Sequence, residues 1–192
     1  MPEPVKTSYH HGDLRATLLK VAMQMLERGE TFSLRGVARE AGVSPTAPYR
    51  HFADRDALES ALAAQGFQDL FADLMEGRDL PRSAEDLAEF GVEYVFFALR
   101  RPALFRLMFG NECDDANDER VKAAAELHEL LATMLTNVFP HADAAALATA
   151  CWGLVHGLAF LHLDGKLEAD QLDAVAERIR TSFFAILAAQ AG

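Results

Sequence analysis

Apolar residues recur along this chain every three or four positions, and alternation of apolar with polar residues is nowhere sustained. That is the period of a helix rather than of a strand. Leu14, Leu18, Val21, Ala22, Met25 and Leu26 share one side of a first helix that starts near Gly12 and ends at Gly29. Ser33 caps a short second helix carrying Leu34, Val37, Ala38 and Ala41, and Gly42, free to take positive φ, stops it. A third helix is expected over Ser44–Phe52, with Ser44 as cap and Pro45 in the first turn. Asp54 caps a long fourth helix bearing Leu58, Ala61, Leu62, Phe67, Leu70, Phe71 and Leu74 as far as Gly77. Further helices follow near 83–100, 102–109, 115–139, 142–164 and 169–189, separated by Pro81, Pro102, the acidic segment Cys113–Asp118, Pro140 and the turn Asp164–Lys166. The expected class is all-α, with about nine helices.

A hydrophobic share of 51% with 24% charged residues over 192 positions is a globular balance with room for a sizeable core. Residues 1–9 carry no apolar run and predict no secretory signal, so a cytoplasmic location is expected. Ala144–Leu163 is the longest apolar stretch, but it holds His156 and His162 and lacks flanking basic anchors, so it is read as a buried helix of a soluble protein, without a membrane partner. Cys113 and Cys151 are too few for a disulfide framework. The net charge of −11 argues against a polyanionic partner until it is divided: residues 1–52 sum to +2 and the remainder to −13. Such asymmetry suits one part that meets phosphates and another that stays soluble.

Two short helices joined by a tight glycine turn form a helix-turn-helix pattern. In the second, Ser44-Pro45-Thr46-Ala47-Pro48-Tyr49-Arg50-His51-Phe52, small residues come first and long hydrogen-bond donors later. Small residues admit a backbone to the major groove, and long donors reach the flanking phosphates. The run Ser33-Leu34-Arg35-Gly36-Val37-Ala38-Arg39-Glu40-Ala41-Gly42-Val43-Ser44, with Tyr49-Arg50-His51-Phe52 and Arg55-Asp56-Ala57-Leu58, resembles the DNA-binding domain of the TetR family. The resemblance covers about the first 60 residues. It implies that Thr46 and Ala47 face base edges, that Ser44, Tyr49 and His51 bond phosphates, and that Arg35 and Arg55 add backbone contacts, while Phe52 is core. The arm Lys6-Thr7-Ser8-Tyr9-His10-His11 is similar to arms that approach DNA ahead of the first helix. Two departures stand out: Pro48 where the family has leucine, which removes an amide and predicts a short or partly 3₁₀ element, and Arg55 for lysine.

The resemblance divides the chain into a DNA-binding domain, 1–53, and a helical ligand-binding and dimerisation domain, 54–192. The helix 142–164 is apolar nearly all round. One stripe, Leu147, Cys151, Leu154, Leu158 and Leu161, suits a partner helix, and Gly153 and Gly157 offer a strip of close approach. In the last helix Leu172, Val175, Ile179, Phe183 and Ile186 form a single apolar face. By the resemblance these two helices build a four-helix bundle across a two-fold axis, with Leu154, Leu158, Leu161, Leu172, Val175, Ile179, Phe183 and Ile186 at the interface. Intrachain packing is the other reading of the same stripes. Trp152-Gly153-Leu154-Val155-His156-Gly157 also resembles a TetR subgroup named for its Trp, His and Gly. The ligand pocket of such proteins lies inside the C-terminal bundle, which nominates Phe67, Phe71, Tyr94, Phe97, Phe105, Met108, Trp152, His156 and Phe160.

Catalytic patterns fail on geometry. His128-Glu129-Leu130-Leu131-Ala132 begins like a zinc-protease helix but has alanine where the second histidine must sit. His156 and His162 are six apart, about 240° around a helix, and cannot converge on one ion. No phosphate-cradling loop, nucleophile elbow or CxxC pair is present. The expected function is thus a homodimeric repressor, without cofactor or metal, that binds a pseudo-palindromic double-stranded operator and is released by a small apolar or aromatic effector. An effector-independent DNA-binding protein and a helical-bundle enzyme are the alternatives.

Overall fold

A computed structural model describes residues 11–110 and 118–188. The arm Lys6–His10 and Cys113 lie outside these residues. Eight α-helices and one 3₁₀ turn make up the secondary structure described: α1 (His11–Glu27), α2 (Leu34–Glu40), the turn Pro48–Arg50, α3 (Arg55–Met75), α4 (Ala84–Arg100), α5 (Pro102–Gly110), α6 (Glu119–Val138), α7 (Ala144–Leu163) and α8 (Leu172–Ala188). The chain divides into two compact units, and the division falls between Leu62 and Ala63, inside α3.

In the first unit Leu18, Ala22 and Met25 of α1 are buried with Phe32, Leu34, Val37, Ala38, Phe52 and Leu58. Local chemistry sets the ends of α2. The Ser33 hydroxyl accepts the Gly36 N–H at 3.1 Å, satisfying an amide that the helix itself cannot. At the other end Gly42 takes φ +68°, and the Val43 N–H reaches back to the Ala38 carbonyl at 2.9 Å while the Gly42 N–H reaches Arg39. This closure needs a residue with no Cβ penalty at positive φ.

The expected helix Ser44–Phe52 is not a regular α-helix. Its first i→i−4 bond would run from residue 48 to the Ser44 carbonyl, and Pro48 has no N–H to give. Ala47 donates to Ser44 instead, at 2.9 Å, and Arg50 to Ala47 and His51 to Pro48 repeat the tighter i→i−3 pattern. Ser44 does not cap a helix here: its hydroxyl pairs with that of Thr46 at 3.1 Å. This missing α-helix accounts for eight α-helices against the nine expected.

In the second unit α4 is the central element, packed on α5, α6, α7 and α8. It begins with a reciprocal box in which the Ser83 hydroxyl accepts the Asp86 N–H and the Asp86 carboxylate accepts the Ser83 N–H, each at 3.1 Å. Gly91 lets neighbours approach α4: a Cβ there would stand 3.2 Å from Val155 Cγ1 and 3.6 Å from Ile179 and Phe183. Helix α7 is long and apolar enough, by length and composition, to cross a membrane, yet 28% of its most apolar stretch is buried in the protomer. Within a single copy the helix is thus covered on one side only. Leu147, Cys151, Val155, Leu158, Ala159 and His162 face inward, while Ala146, Ala150, Gly153, Gly157 and Leu161 are exposed.

Candidate functional site

The first unit presents a polar face built by the turn that Pro48 forces. Pro48 and Phe52 point into the core, and Ser44, Thr46, Tyr49 and Arg50 point outward, with Tyr49 49% exposed. Ala47 and His51 are half-buried beside them. Phe52 is 3% exposed, with the Arg15 guanidinium 5.5 Å from its ring centroid. The cations differ in availability. Arg35, Arg39 and Arg50 are exposed and form no ion pair among the described residues. Arg55, although exposed, holds the buried Glu59 carboxylate at 2.7 Å and lies 5.7 Å from the Phe32 ring centroid.

The second unit contains an apolar cavity of about 480 Å³. Helix α3 contributes Phe67 and Leu74, α4 contributes Leu87, Phe90, Gly91 and Tyr94, and α5 contributes Met108 and Phe109. From α7 come Cys151, Trp152 and Val155, and from α8 Phe183. Most of one wall is α6, from Arg120 to Met134, and between Ala123 and Met134 no residue of that helix is fully buried. Such a volume, lined largely by hydrocarbon with few polar atoms, is the usual form of a small-molecule site.

Of the nine ligand-lining residues expected from sequence, Phe67, Tyr94, Met108 and Trp152 line the cavity. The others stand elsewhere. Phe71 is 38% exposed, and Phe97 and Phe105 are fully buried core. His156 and Phe160 are not among the lining; His156 meets Phe105, Phe109 and Phe160 in tilted or edge-on ring contacts, and Phe160 also meets Phe105. Phe109 and the α6 wall were missed. The signal for α6 was present in Val121, Ala124, Leu127, Leu131 and Met134, spaced at three and four, but small aliphatic residues suggest nothing beyond core. Several expected interface residues also move: Val175, Ile179 and Phe183 are buried inside the protomer, and Phe183 touches the cavity. Leu158 is buried as well, Leu154 and Ile186 are half-buried, and Leu161 and Leu172 are exposed.

Tyr94 and His156 form a hydrogen-bonded pair, Oη to Nδ1, at 2.9 Å. Burial raises the Tyr94 phenol well above its ordinary value, the Trp152 indole N–H acting weakly the other way. Burial also holds the His156 imidazole below its ordinary value. The Cys151 thiol is pushed up to about 11 by burial, so it remains a thiol. His162 is likewise lowered, by burial first and then by the Arg178 charge. Both histidines therefore bind a proton more weakly in the folded chain than in the unfolded one, where the value is near 6.5. Their contribution to stability is present above about pH 6.5 and is lost as pH falls through the lower folded values. The urea midpoint is expected to drop between pH 7 and pH 5, and His156→Gln to remove part of that drop; a midpoint that holds or rises contradicts this account.

Residues 87–183 match the family described as the tetracyclin repressor-like C-terminal domain. The chain belongs to the TetR family. Solved structures agree in fold. A Rhodococcus sp. RHA1 protein of unknown function is 34% identical, with a TM-score of 0.79 over 94% of this chain and 98% of its own. A TetR/AcrR transcriptional regulator from Thermobifida fusca YX-ER1 is 19% identical, with a TM-score of 0.61 over 89% of this chain and 96% of its own. The fatty acid degradation regulator FadR of Bacillus halodurans is 13% identical, with a TM-score of 0.69 over 91% and 96%. Membership of the TetR family accounts for both sites at once, a helix-turn-helix in one unit and an apolar cavity in the other.

Proposed function

We propose that this TetR-family chain is a transcriptional repressor that binds a pseudo-palindromic operator as a homodimer and releases it when a small hydrophobic ligand fills the cavity. The DNA-binding part is residues 1–53 and the ligand-binding and dimerisation part is 54–192. One observation carries the DNA reading: the turn around Pro48 buries Pro48 and Phe52 and leaves Ser44, Thr46 and Tyr49 outward, in a unit that also exposes Arg35 and Arg50, neither of them in an ion pair among the described residues. A face of small polar groups flanked by uncompensated guanidinium groups suits a groove lined with phosphates. Thr46 and Ala47 then meet base edges, Ser44, Tyr49 and His51 meet phosphates, and Arg35 adds a backbone contact. Arg55 contributes less, since Glu59 already holds it. The segment Trp152–Gly157 supports placement in the Trp-His-Gly subgroup.

Dimerisation is supported by the exposed strip of α7. Ala146, Ala150, Gly153 and Gly157 leave a shallow track along an apolar helix that is mostly uncovered in the protomer, and a second copy covers it. Two recognition segments then stand about 34 Å apart, one turn of B-DNA. For release, α5 supplies the connection. Met108 and Phe109 line the cavity, and a Cβ at Gly66 of α3 would stand 2.8 Å from Met108 Sδ and 3.0 Å from Leu104. A ligand that displaces α5 therefore presses on α3, whose first turns belong to the first compact unit. Operator and ligand must then weaken each other by the same factor.

The test is selection of bound sequences from random duplex DNA, followed by affinities of three variants. Tyr49→Phe and His51→Ala are expected to weaken all sequences alike, by about 10- to 100-fold for each lost bond to a phosphate. Thr46→Ala is expected to change the preferred sequence, with discrimination of about 1–3 kcal/mol lost at one base pair. If Thr46→Ala alters only overall affinity, the recognition segment has been misplaced.

A further inference from the structure

Against the largely hydrocarbon cavity lies a hydrogen-bonded polar pair, Tyr94 in the lining and His156 outside it. The imidazole is enclosed by rings, with centroids of Phe109 at 4.5 Å, Phe160 at 4.9 Å, Trp152 at 5.6 Å and Phe105 at 5.8 Å. Tyr94 itself is 5% exposed and lies in the cavity wall. The phenol has one hydrogen to donate and two lone pairs to accept with. When its O–H points to His156 Nδ1, a lone pair remains for a hydroxyl on the ligand. When His156 carries its proton on Nδ1, the Tyr94 O–H is released toward a carbonyl.

Charge narrows the chemistry further. Burial keeps the phenol protonated and the imidazole neutral. Arg120, in the first turn of α6, also lines the cavity; it is buried and already makes contacts of its own, although its Nε has no hydrogen-bond partner among the described residues. An anion docked on Tyr94 gives up its hydration, a cost of several kcal/mol in an apolar site unless a cation pairs with it. A hydroxyl or carbonyl gives up one hydrogen bond to water and regains one.

We infer that the effector is an uncharged, mostly apolar molecule that carries one hydroxyl or carbonyl and seats that oxygen on the Tyr94 hydroxyl. This rests on the reading of the cavity as the effector site. Trp152 is the single tryptophan of the chain and lines the cavity, so its fluorescence reports occupancy. The probes are tetralin and its 1-hydroxy, 1-oxo and 1-carboxylate derivatives, which share one skeleton, titrated at pH 8 where an ordinary imidazole is neutral. The alcohol and the ketone are expected to bind about tenfold more tightly than tetralin, and the carboxylate most weakly. Tyr94→Phe is expected to erase the advantage of the oxygen while leaving tetralin within about twofold. The inference is overturned if the carboxylate binds best, if alcohol, ketone and hydrocarbon bind alike, or if the advantage survives in Tyr94→Phe. The wild-type ranking decides the matter on its own where Tyr94→Phe does not fold. If none of the four probes perturbs Trp152, the reading of the cavity as an effector site falls with it.

Discussion

Replacing Gly157 with leucine is expected to yield a folded protomer that no longer pairs and no longer holds an operator. Gly153 and Gly157 are exposed on α7, and a Cβ at either position meets nothing within 4 Å of the protomer. Within one copy the change is therefore favourable, because glycine inside a helix is about 1 kcal/mol worse than a good helix former. In a dimer that closes over Ala146, Ala150, Gly153 and Gly157 the same leucine fills the track and forces the two copies apart. The opposite signs make the experiment decisive. Losing the link between two half-sites costs about 10²–10⁴ in affinity, since the second contact no longer benefits from tethering. Sedimentation gives the oligomeric state, thermal melting the protomer stability, and an operator titration the affinity. A Gly157→Leu protein that stays dimeric, melts higher and binds DNA normally shows that α7 faces solvent or another surface.

Phe105→Ala is expected to destabilise the chain by about 3–5 kcal/mol, the range for an aromatic removed from a core. The ring is fully buried and lies against Tyr94 at 5.5 Å, Phe109 at 4.9 Å, Phe160 at 5.6 Å and His156 at 5.8 Å. These neighbours are flat and rigid, and Tyr94 and His156 are tied to each other, so the void closes poorly. Urea unfolding is expected to show a lower midpoint with an unchanged slope. A loss below about 1 kcal/mol would mean that the aromatic cluster relaxes into the space and that its packing is not specific.

What the sequence revealed follows the range of the interactions involved. The Ser33 cap, the Gly42 turn and the consequence of Pro48 depend on neighbours within four residues, and each was readable from the residues alone. Phe67, Tyr94, Met108 and Trp152 line the cavity as expected from their aromatic or sulfur-bearing side chains. Phe97, Phe105 and Phe71 have similar chemistry and went to core or surface, because periodicity tells that a position is apolar and not which neighbour it meets. The same blindness misassigned Val175, Ile179 and Phe183. A stripe on the last helix looks identical whether a helix of the same chain or of a twin covers it, and here the three are buried within the chain, Ile179 and Phe183 beside Gly91 of α4. The small residues of α7 carried the complementary signal, since a track of glycine and alanine is left uncovered within the protomer.

The continuity of α3 has a mechanical corollary. Its 21 residues contain no proline and a single glycine, Gly66, and at 1.5 Å per residue they make a beam about 30 Å long. A tilt of about five degrees, pivoting near Met75, swings Arg55 by about 3 Å over that length. Under the proposed function an effector would not have to remodel the bundle: a few degrees of lean, magnified by the length of the arm, would move each reading segment off its groove.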